Sequence, residues 1–190
     1  MQIVLASASP RRRQLMEMLD LPDLTVIPAQ GAEVPPAHAE PGELVTALSA
    51  AKAREVAALV PDGALVVGAD TIVWVDGRPF GKPHSEVEAA QMLRTLSGRA
   101  HEVYTGVTLI RSGEELSEWE RSRVFFRSLS PEEISRYVAT GEPMDKAGAY
   151  GAQGLGALLV ERIEGDFFNV MGLPLCHLGQ MFKKLGVEIL

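Results

Sequence analysis

The first segment that indicates the fold is Ile3-Val4-Leu5-Ala6-Ser7-Ala8-Ser9-Pro10-Arg11-Arg12-Arg13, near the N-terminus. Its first four residues are apolar and are typical of a short buried strand. Ser9 suits the N-cap of a helix whose first residue is Pro10, because proline has no N–H to leave unpaired at that position. The stretch therefore predicts a strand, a loop and a helix in succession.

Strand-like and helix-like segments alternate along the rest of the chain. Apolar runs predict strands at residues 24–27, 64–75 (interrupted at 68–71), 101–111, 118–126 and 158–163. Caps and helical spacing predict helices at residues 43–60, 85–96, 130–141 and 173–185. Asp76-Gly77 predicts a hairpin turn. The alternation favours an α/β fold with a mixed sheet, in a single domain over residues 1–190.

Length and composition agree with a protein that has an ordinary hydrophobic core. The chain has 190 residues, of which 46% are hydrophobic, and a chain of this size buries roughly 70% of its surface on folding. The single cysteine, Cys176, excludes an internal disulfide and a thiolate-rich metal site. Its apolar neighbours, residues 173–178, predict a small buried side chain in a protein of a reducing compartment.

The charge balance argues against two classes of partner. The net charge is −7 and the isoelectric point is near 5.2, whereas proteins that wrap nucleic acid or coat membranes are usually basic. No apolar run reaches the roughly 18 residues of a membrane-spanning helix. The N-terminus also lacks the basic and apolar regions of a signal peptide. We therefore expect a cytoplasmic protein that binds neither nucleic acid nor membrane.

The loop at the start of the first predicted helix is the first candidate site. Free N–H groups, the positive end of the helix dipole, two hydroxyls and three guanidiniums meet there, a combination that suits a phosphate chain. A capped helix with a solvated basic first turn is the alternative. Cations are unfavourable at that end of a helix, however, and an arriving anion would offset the repulsion.

Three further side chains have both a functional and an ordinary interpretation. Asp70 is predicted to stand at the end of a strongly apolar strand, where a carboxylate could bind Mg²⁺ or accept a proton from water. Asp is also common in turns, which is the ordinary interpretation. Lys82 lies between Gly81 and Pro83 and could bind phosphate or stand in a surface turn. Lys52 falls in a predicted helix, where most lysines are solvated.

The second candidate site is the glycine-rich segment 145–154. Its glycines permit close approach of the backbone to a ligand, Tyr150 could stack on a base, and Gln153 could read a base edge. The segment matches neither a Walker A loop nor Gly-x-Gly-x-x-Gly. The four histidines are scattered without ligand spacing, which argues against a zinc site.

Taken together, these segments resemble the Maf family of nucleoside triphosphate pyrophosphatases. The matching segments occur in family order and cover almost the whole chain: Leu5-Ala6-Ser7-Ala8-Ser9-Pro10-Arg11-Arg12, Gly68-Ala69-Asp70-Thr71, Gly81-Lys82-Pro83, Leu96-Ser97-Gly98 with His101, Asp145-Lys146-Ala147-Gly148-Ala149-Tyr150-Gly151-Ala152-Gln153-Gly154, and Gly172-Leu173-Pro174.

The resemblance implies an elongated, twisted mixed sheet flanked by helices, with two lobes and a central cleft, as in inosine triphosphatase. It also implies hydrolysis of a nucleoside triphosphate to the monophosphate and pyrophosphate, with Mg²⁺ or Mn²⁺, in a cytoplasmic homodimer. Arg11, Thr71 and Gln153 match the specificity-linked positions of the branch that prefers dTTP and UTP. Modified pyrimidine triphosphates are also expected to fit.

The resemblance assigns a role to each candidate residue. Asp70 is the expected proton acceptor that activates water at the α-phosphorus, and Glu33 and Asp70 are the expected metal ligands. Beside these roles, we expect the phosphates to be bound by two hydroxyls and four cations, namely Ser7, Ser9, Arg11, Arg12, Lys52 and Lys82. A nucleotide-binding regulator of cell division without turnover is the alternative function.

Overall fold

The structure is a computed structural model that describes residues 1–190. It contains seven strands: β1 (Ile3–Ala6), β2 (Leu24–Val26), β3 (Leu65–Val75), β4 (Arg78–Phe80), β5 (Ala100–Arg111), β6 (Glu114–Phe126) and β7 (Val160–Glu164). The α-helices are α1 (Pro10–Glu17), α2 (Pro41–Ala57), α3 (Glu86–Leu96), α4 (Pro131–Ala139), α5 (Phe167–Met171) and α6 (Leu175–Lys184). Three 3₁₀-helices occupy Glu142–Asp145, Ala147–Ala149 and Gly154–Leu159.

The strands form one seven-stranded sheet in the order β2-β1-β3-β5-β6-β7, with β4 beside β3. β1 runs parallel to both β2 and β3, and its last residue, Ala6, pairs with Gly68. β4 is antiparallel to β3, and β7 is antiparallel to β6. The sheet is therefore mixed and flanked by helices, and the predicted α/β class is confirmed.

The chain divides into two compact units. Unit 1 comprises residues 1–70, 105–120 and 172–190, and unit 2 comprises residues 71–104 and 121–171. In unit 1, apolar side chains of β1 and β3 pack with Ala53 and Val56 of α2. In unit 2, a larger cluster joins Leu93 of α3, Tyr137 of α4 and Tyr150. The expectation of a single domain over residues 1–190 stays a prediction.

The apolar run at residues 64–75 forms one continuous strand, where the sequence predicted an interruption at residues 68–71. β3 extends past the end of β1, and from Val73 onward it pairs with β4. Asp70 consequently lies inside a strand, and its prediction as the residue that ends one was wrong.

The helix caps follow the sequence closely. The Ser9 hydroxyl accepts a hydrogen bond from the Arg12 amide at the start of α1, and Ser130 forms a complete capping box with Glu133 at the start of α4. At α3 the Ser85 hydroxyl accepts from the Glu88 amide. These local signals therefore placed three helix starts correctly.

Cys176 corrects another prediction. Its side chain is exposed, although the sequence around it is apolar. It lies on α6, where Leu178, Met181 and Phe182 are the residues that face the core. Helical periodicity therefore leaves Cys176 on the outer face. No helix of the structure combines the length and apolar character that crossing a membrane requires.

Candidate active site

Asp70 is placed in unit 1 by the close packing of α2 on β3. A Cβ atom at Gly68 would lie 2.4 Å from the backbone oxygen of Ser49 in α2, so only glycine allows this approach. Side chains alternate along a strand, so Asp70 shares the face of Gly68. That face carries the carboxylate toward the helix that contains Lys52.

The ammonium group of Lys52 lies between two carboxylates. Its Nζ atom is 2.5 Å from Oδ1 of Asp70 and 2.7 Å from Oε1 of Glu33. The Asp70 side chain is 10% exposed and that of Lys52 is 18% exposed, whereas Glu33 is 59% exposed. The structure thus brings together the two carboxylates that were predicted to bind a metal and one of the predicted phosphate ligands.

Glu33 stands on the loop between β2 and α2, and this loop is held by a residue that the sequence reasoning missed. The carboxylate of Glu55, in α2, accepts hydrogen bonds from the backbone amides of Gln30 at 2.7 Å and Gly31 at 2.9 Å. These two bonds lower the pKa of Glu55. The available signal was the position of Glu55 on α2, three residues after Lys52.

Ser7, Ser9 and Arg12 are joined at the start of α1. The Ser7 hydroxyl accepts hydrogen bonds from the Ser9 amide at 3.2 Å and from Arg12 Nη1 at 3.3 Å. Arg12 also donates through Nε to the carbonyl oxygen of Gly172 at 2.8 Å. Gly172 belongs to the C-terminal motif and had no predicted role, and the structure shows it as an anchor for the guanidinium.

Electrostatics connect Arg12 to the two carboxylates. Burial lowers the pKa of Arg12, while the nearby charges of Asp70 and Glu33 act in the opposite direction. The neighbouring Arg11 is half-buried. Arg13 is exposed and pairs with Glu17 one turn along α1. Arg12 is thus connected to the predicted site by its hydrogen bonds and by the nearby carboxylates.

Thr71, Lys82 and Gln153 belong to unit 2, and the roles predicted for them stay predictions. Thr71 follows Asp70 in β3, so its side chain points to the opposite face of the strand. Lys82 and Gln153 are exposed. Lys82 follows Gly81, whose carbonyl oxygen accepts a hydrogen bond from the Gly148 amide at 3.0 Å. This bond ties the turn of Lys82 to the glycine-rich segment.

Tyr150 does not have the surface position that stacking on a base requires. It is 5% exposed, and its hydroxyl lies 2.7 Å from Nε2 of His101. Both rings pack edge-on against Phe126 in the core of unit 2. Burial lowers the pKa of His101 to about 4. Tyr150 and His101 are therefore core residues, and the suggestion that Tyr150 stacks on a base was wrong.

A magnesium or manganese site at the carboxylates of unit 1 stays a prediction. No group of three or more histidine, cysteine or acidic side chains is placed to hold a metal. Mg²⁺, however, is commonly bound through one or two carboxylates, with waters and substrate phosphates completing its shell. Asp70 and Glu33 meet at one ammonium group and are such a pair. The arrangement of carboxylates, guanidinium, ammonium and hydroxyls suits an enzyme that acts on a phosphate anhydride.

Comparison with known proteins identifies the family. The model of the Maf-like protein family matches residues 2–185, and the chain belongs to this family. A relative from Moorella thermoacetica (strain ATCC 39073 / JCM 9320), named dTTP/UTP pyrophosphatase, is 53% identical over 99% of this chain and 97% of its own length. A protein of the same name from Bacillus cereus (strain AH187) is 43% identical over 99% of this chain and 97% of its own.

Solved structures give a more distant similarity. The Ham1 protein of Staphylococcus aureus is 16% identical, with a TM-score of 0.46 over 82% of this chain and 78% of its own. A HAM1 protein from Coxiella burnetii is 19% identical, with a TM-score of 0.46 over 66% of this chain and 73% of its own.

Proposed function

We propose that this protein hydrolyses nucleoside triphosphates, dTTP and UTP foremost, to the monophosphate and pyrophosphate. The observation that carries the proposal is the convergence of Asp70 and Glu33 on Lys52, with Arg12 close enough to interact with both carboxylates. The names of relatives that are 43% to 53% identical over nearly the full chain support the same activity.

In the proposed reaction, Asp70 accepts a proton from a water molecule. The water oxygen forms a bond to the α-phosphorus, and the bond from that phosphorus to the bridging oxygen of the β-phosphate breaks. Pyrophosphate leaves with the electron pair. A positioned general base supplies roughly 10²- to 10⁴-fold of rate. Asp70 suits this role because a buried strand and a lysine hold its carboxylate in place.

Charge on the phosphoryl oxygens is stabilised by the groups around the start of α1. The hydroxyls of Ser7 and Ser9 and the cations Arg11, Arg12 and Lys52 are the proposed phosphate ligands of unit 1. Lys82, in unit 2, stays a predicted phosphate ligand. Arg12 is prepared for this task because Ser7 and the carbonyl of Gly172 already orient its guanidinium. Pre-oriented donors of this kind stabilise developing charge without reorganisation during the reaction.

Glu33 and Asp70 are the proposed ligands of Mg²⁺ or Mn²⁺. When bound, such an ion neutralises phosphate charge and polarises the phosphoryl group. Thr71 and Gln153 are proposed to contribute to selection of the base, since the amide of Gln153 offers both a donor and an acceptor to uracil or thymine. A homodimer in the cytoplasm is part of the same proposal.

The test is a panel of nucleoside triphosphates incubated with Mg²⁺ or Mn²⁺, with pyrophosphate and orthophosphate assayed separately. We expect equal amounts of monophosphate and pyrophosphate, fastest from dTTP and UTP, and no turnover with a chelator. In ¹⁸O-labelled water the label should enter UMP and not pyrophosphate. Release of orthophosphate alone would contradict the proposal, and tight binding of UTP without turnover would favour the regulatory alternative.

A further inference from the structure

The carboxylate of Glu142, in unit 2, accepts three hydrogen bonds, one from Tyr137 of α4 and two from the segment that follows Gln153. Its Oε1 atom accepts from the Tyr137 hydroxyl at 2.9 Å and from the Gly156 amide at 3.0 Å. Its Oε2 atom accepts from the Leu155 amide at 3.1 Å. Two of the three donors are therefore backbone groups just after Gln153.

Tyr137 holds the other side of the same loop. Its hydroxyl, which donates to Glu142, accepts a hydrogen bond from the Gly151 amide at 3.3 Å. Tyr137 itself is 5% exposed and packs in the core of unit 2. The loop that consists of residues 151–156 is thus tied to one buried side chain before Gln153 and to one carboxylate after it.

Glycines bring the loop against these two anchors. Gly154 has a φ of +66°, and a Cβ atom there would lie 2.9 Å from Oε2 of Glu142. A Cβ atom at Gly156 would lie 2.3 Å from the carbonyl oxygen of Gly151 and 2.6 Å from the Tyr137 hydroxyl. A side chain at either glycine would collide with Glu142 or Tyr137, so the two glycines allow the loop to pack directly on these residues.

Within this closed loop, the Gln153 side chain is exposed. No α-helix or strand holds its backbone, because the segment lies between the 3₁₀-helices Ala147–Ala149 and Gly154–Leu159. The direction of the Gln153 side chain consequently depends on the bonds to the loop ends. Glu142 supplies two of them, and its charge makes them stronger than bonds between neutral groups.

We propose that Glu142 is a positioning residue for base selection, because it fixes the loop that presents Gln153 to the pyrimidine of the substrate. The assignment rests on the proposed function. Glu142 is not proposed to contact the reacting atoms. It acts on the free energy of orienting Gln153, so its loss lowers the preference for UTP and dTTP more than it lowers hydrolysis itself.

The test compares UTP with ribose 5′-triphosphate, which keeps the triphosphate and lacks a base. In Glu142→Gln an NH₂ group replaces one acceptor oxygen and faces a donor, so at least one bond is lost while the size is kept. We expect kcat/KM for UTP to fall about tenfold, as for loss of a hydrogen bond to a charged group, and kcat/KM for ribose 5′-triphosphate to stay within about twofold of wild type. Glu161→Gln, the same change at an exposed position of β7, is the matched control.

A double variant distinguishes positioning from a general structural defect. If Glu142 acts through Gln153, then Glu142→Gln adds no further loss of the UTP preference in a Gln153→Ala protein. Equal losses on both substrates, or additive losses in the double variant, would overturn the proposal. Tyr137→Phe, which removes only the hydroxyl, is expected to weaken the UTP preference in the same direction.

Hydrogen exchange tests the positioning without turnover. In Glu142→Gln, the amides of Leu155 and Gly156 should exchange about tenfold faster, while the Gly148 amide, which donates to Gly81, should be unchanged. Unchanged exchange at Leu155 and Gly156 would overturn the proposal. Should the wild-type protein release no pyrophosphate from UTP, the proposed function fails. The same preference is then measured from dissociation constants for UTP and ribose 5′-triphosphate, which judges Glu142 separately.

Discussion

The charged cluster of unit 1 and the glycine-rich loop of unit 2 are held in place by different means. Asp70 and Lys52 stand on a strand and a helix, and their positions follow from the packing of α2 on Gly68. Gln153 stands on a loop whose backbone is held by the side chains of Glu142 and Tyr137. Asp70 and Lys52 thus depend on regular elements, whereas Gln153 depends on individual hydrogen bonds.

Because of this difference, substitutions at Asp70 and Lys52 should change the rate of hydrolysis. Substitutions around the Gln153 loop should change the selection of the base. Side chains on regular elements are held by many packing contacts, so a conservative change at Asp70 removes its function and keeps its surroundings. A loop held by three or four bonds is easier to displace, and its displacement changes how a bound base is read. The predicted effects on activity test the two sides of this division, and the predicted effect of His101 tests the core of unit 2.

The largest effect is expected for Asp70→Asn. The amide keeps the shape of the side chain but cannot accept the proton from water, so turnover of UTP should fall by roughly 10²- to 10⁴-fold. Pyrophosphate release and thermal unfolding measure activity and folding in parallel. Asp62→Asn, on an exposed turn of unit 1, is the control. A well-folded Asp70→Asn protein with normal turnover would remove Asp70 from catalysis.

Acid should lower the free energy of unfolding through His101, which packs with Tyr150 in unit 2. Its pKa is about 4 in the folded protein, against an ordinary value of 6.5. The unfolded chain therefore binds a proton first as the pH falls. Stability that is fully present above pH 6.5 should be lost as the pH falls toward 4, by about 3 kcal/mol in total.

The free energy of unfolding in urea, measured between pH 7.5 and pH 4.5, checks this expectation. His101→Gln carries no titrating imidazole, so its pH dependence should be weaker than that of the wild-type protein by about the same amount. His38→Gln, on the exposed loop of unit 1, is the matched control. An unchanged pH dependence in His101→Gln would show that the buried imidazole is not the responsible group.

A smaller effect is expected for Lys52→Met. The change removes the cation between Asp70 and Glu33 and takes away a phosphate ligand, so kcat/KM should fall by roughly 10- to 100-fold, as for loss of a charged hydrogen bond. The fall should be similar for UTP and for ribose 5′-triphosphate, because the base plays no part in it. A fall in kcat/KM that is confined to UTP would show that Lys52 acts in base selection, and it would contradict the separation between hydrolysis in unit 1 and selection in unit 2.

The smallest effect is expected for Gln153→Ala. Loss of the amide should lower kcat/KM for UTP and dTTP about tenfold, as for one or two hydrogen bonds, and should leave other triphosphates less affected. The ratio of kcat/KM between UTP and GTP measures it directly. Equal losses for all bases would show that Gln153 does not read the base.

Sequence patterns predicted the start of α1 because the interactions of a helix cap are local. Ser9 and Pro10 predicted the start of α1, and that helix start is where Ser7, Ser9 and Arg12 are joined. The resemblance to the Maf family, confirmed by the match over residues 2–185, supplied Glu33 and the predicted catalytic role of Asp70. Asp70 was already a candidate from its position after apolar residues, whereas composition alone would not have separated Glu33 from any other acid.

The remaining contacts could not be predicted from sequence patterns because they join residues that are far apart in the chain. Gly172 anchors Arg12 across 160 positions, and Glu55 holds the loop of Glu33 through backbone amides 24 and 25 residues away. Tyr150 looked available for stacking because a glycine-rich segment resembles a surface loop. Its partner His101, 49 residues earlier, draws it into the core.

Three features could be predicted from the sequence alone: the alternation of strands and helices, the capped start of α1, and the family. These features depend on periodicity and caps, whose interactions span only a few residues. The tertiary structure decided that Asp70 lies within a strand, that Lys52 meets both carboxylates, and that Cys176 faces outward. It also decided that Glu142 closes the loop of Gln153. These outcomes depend on which segments pack together, and no local pattern encodes that choice.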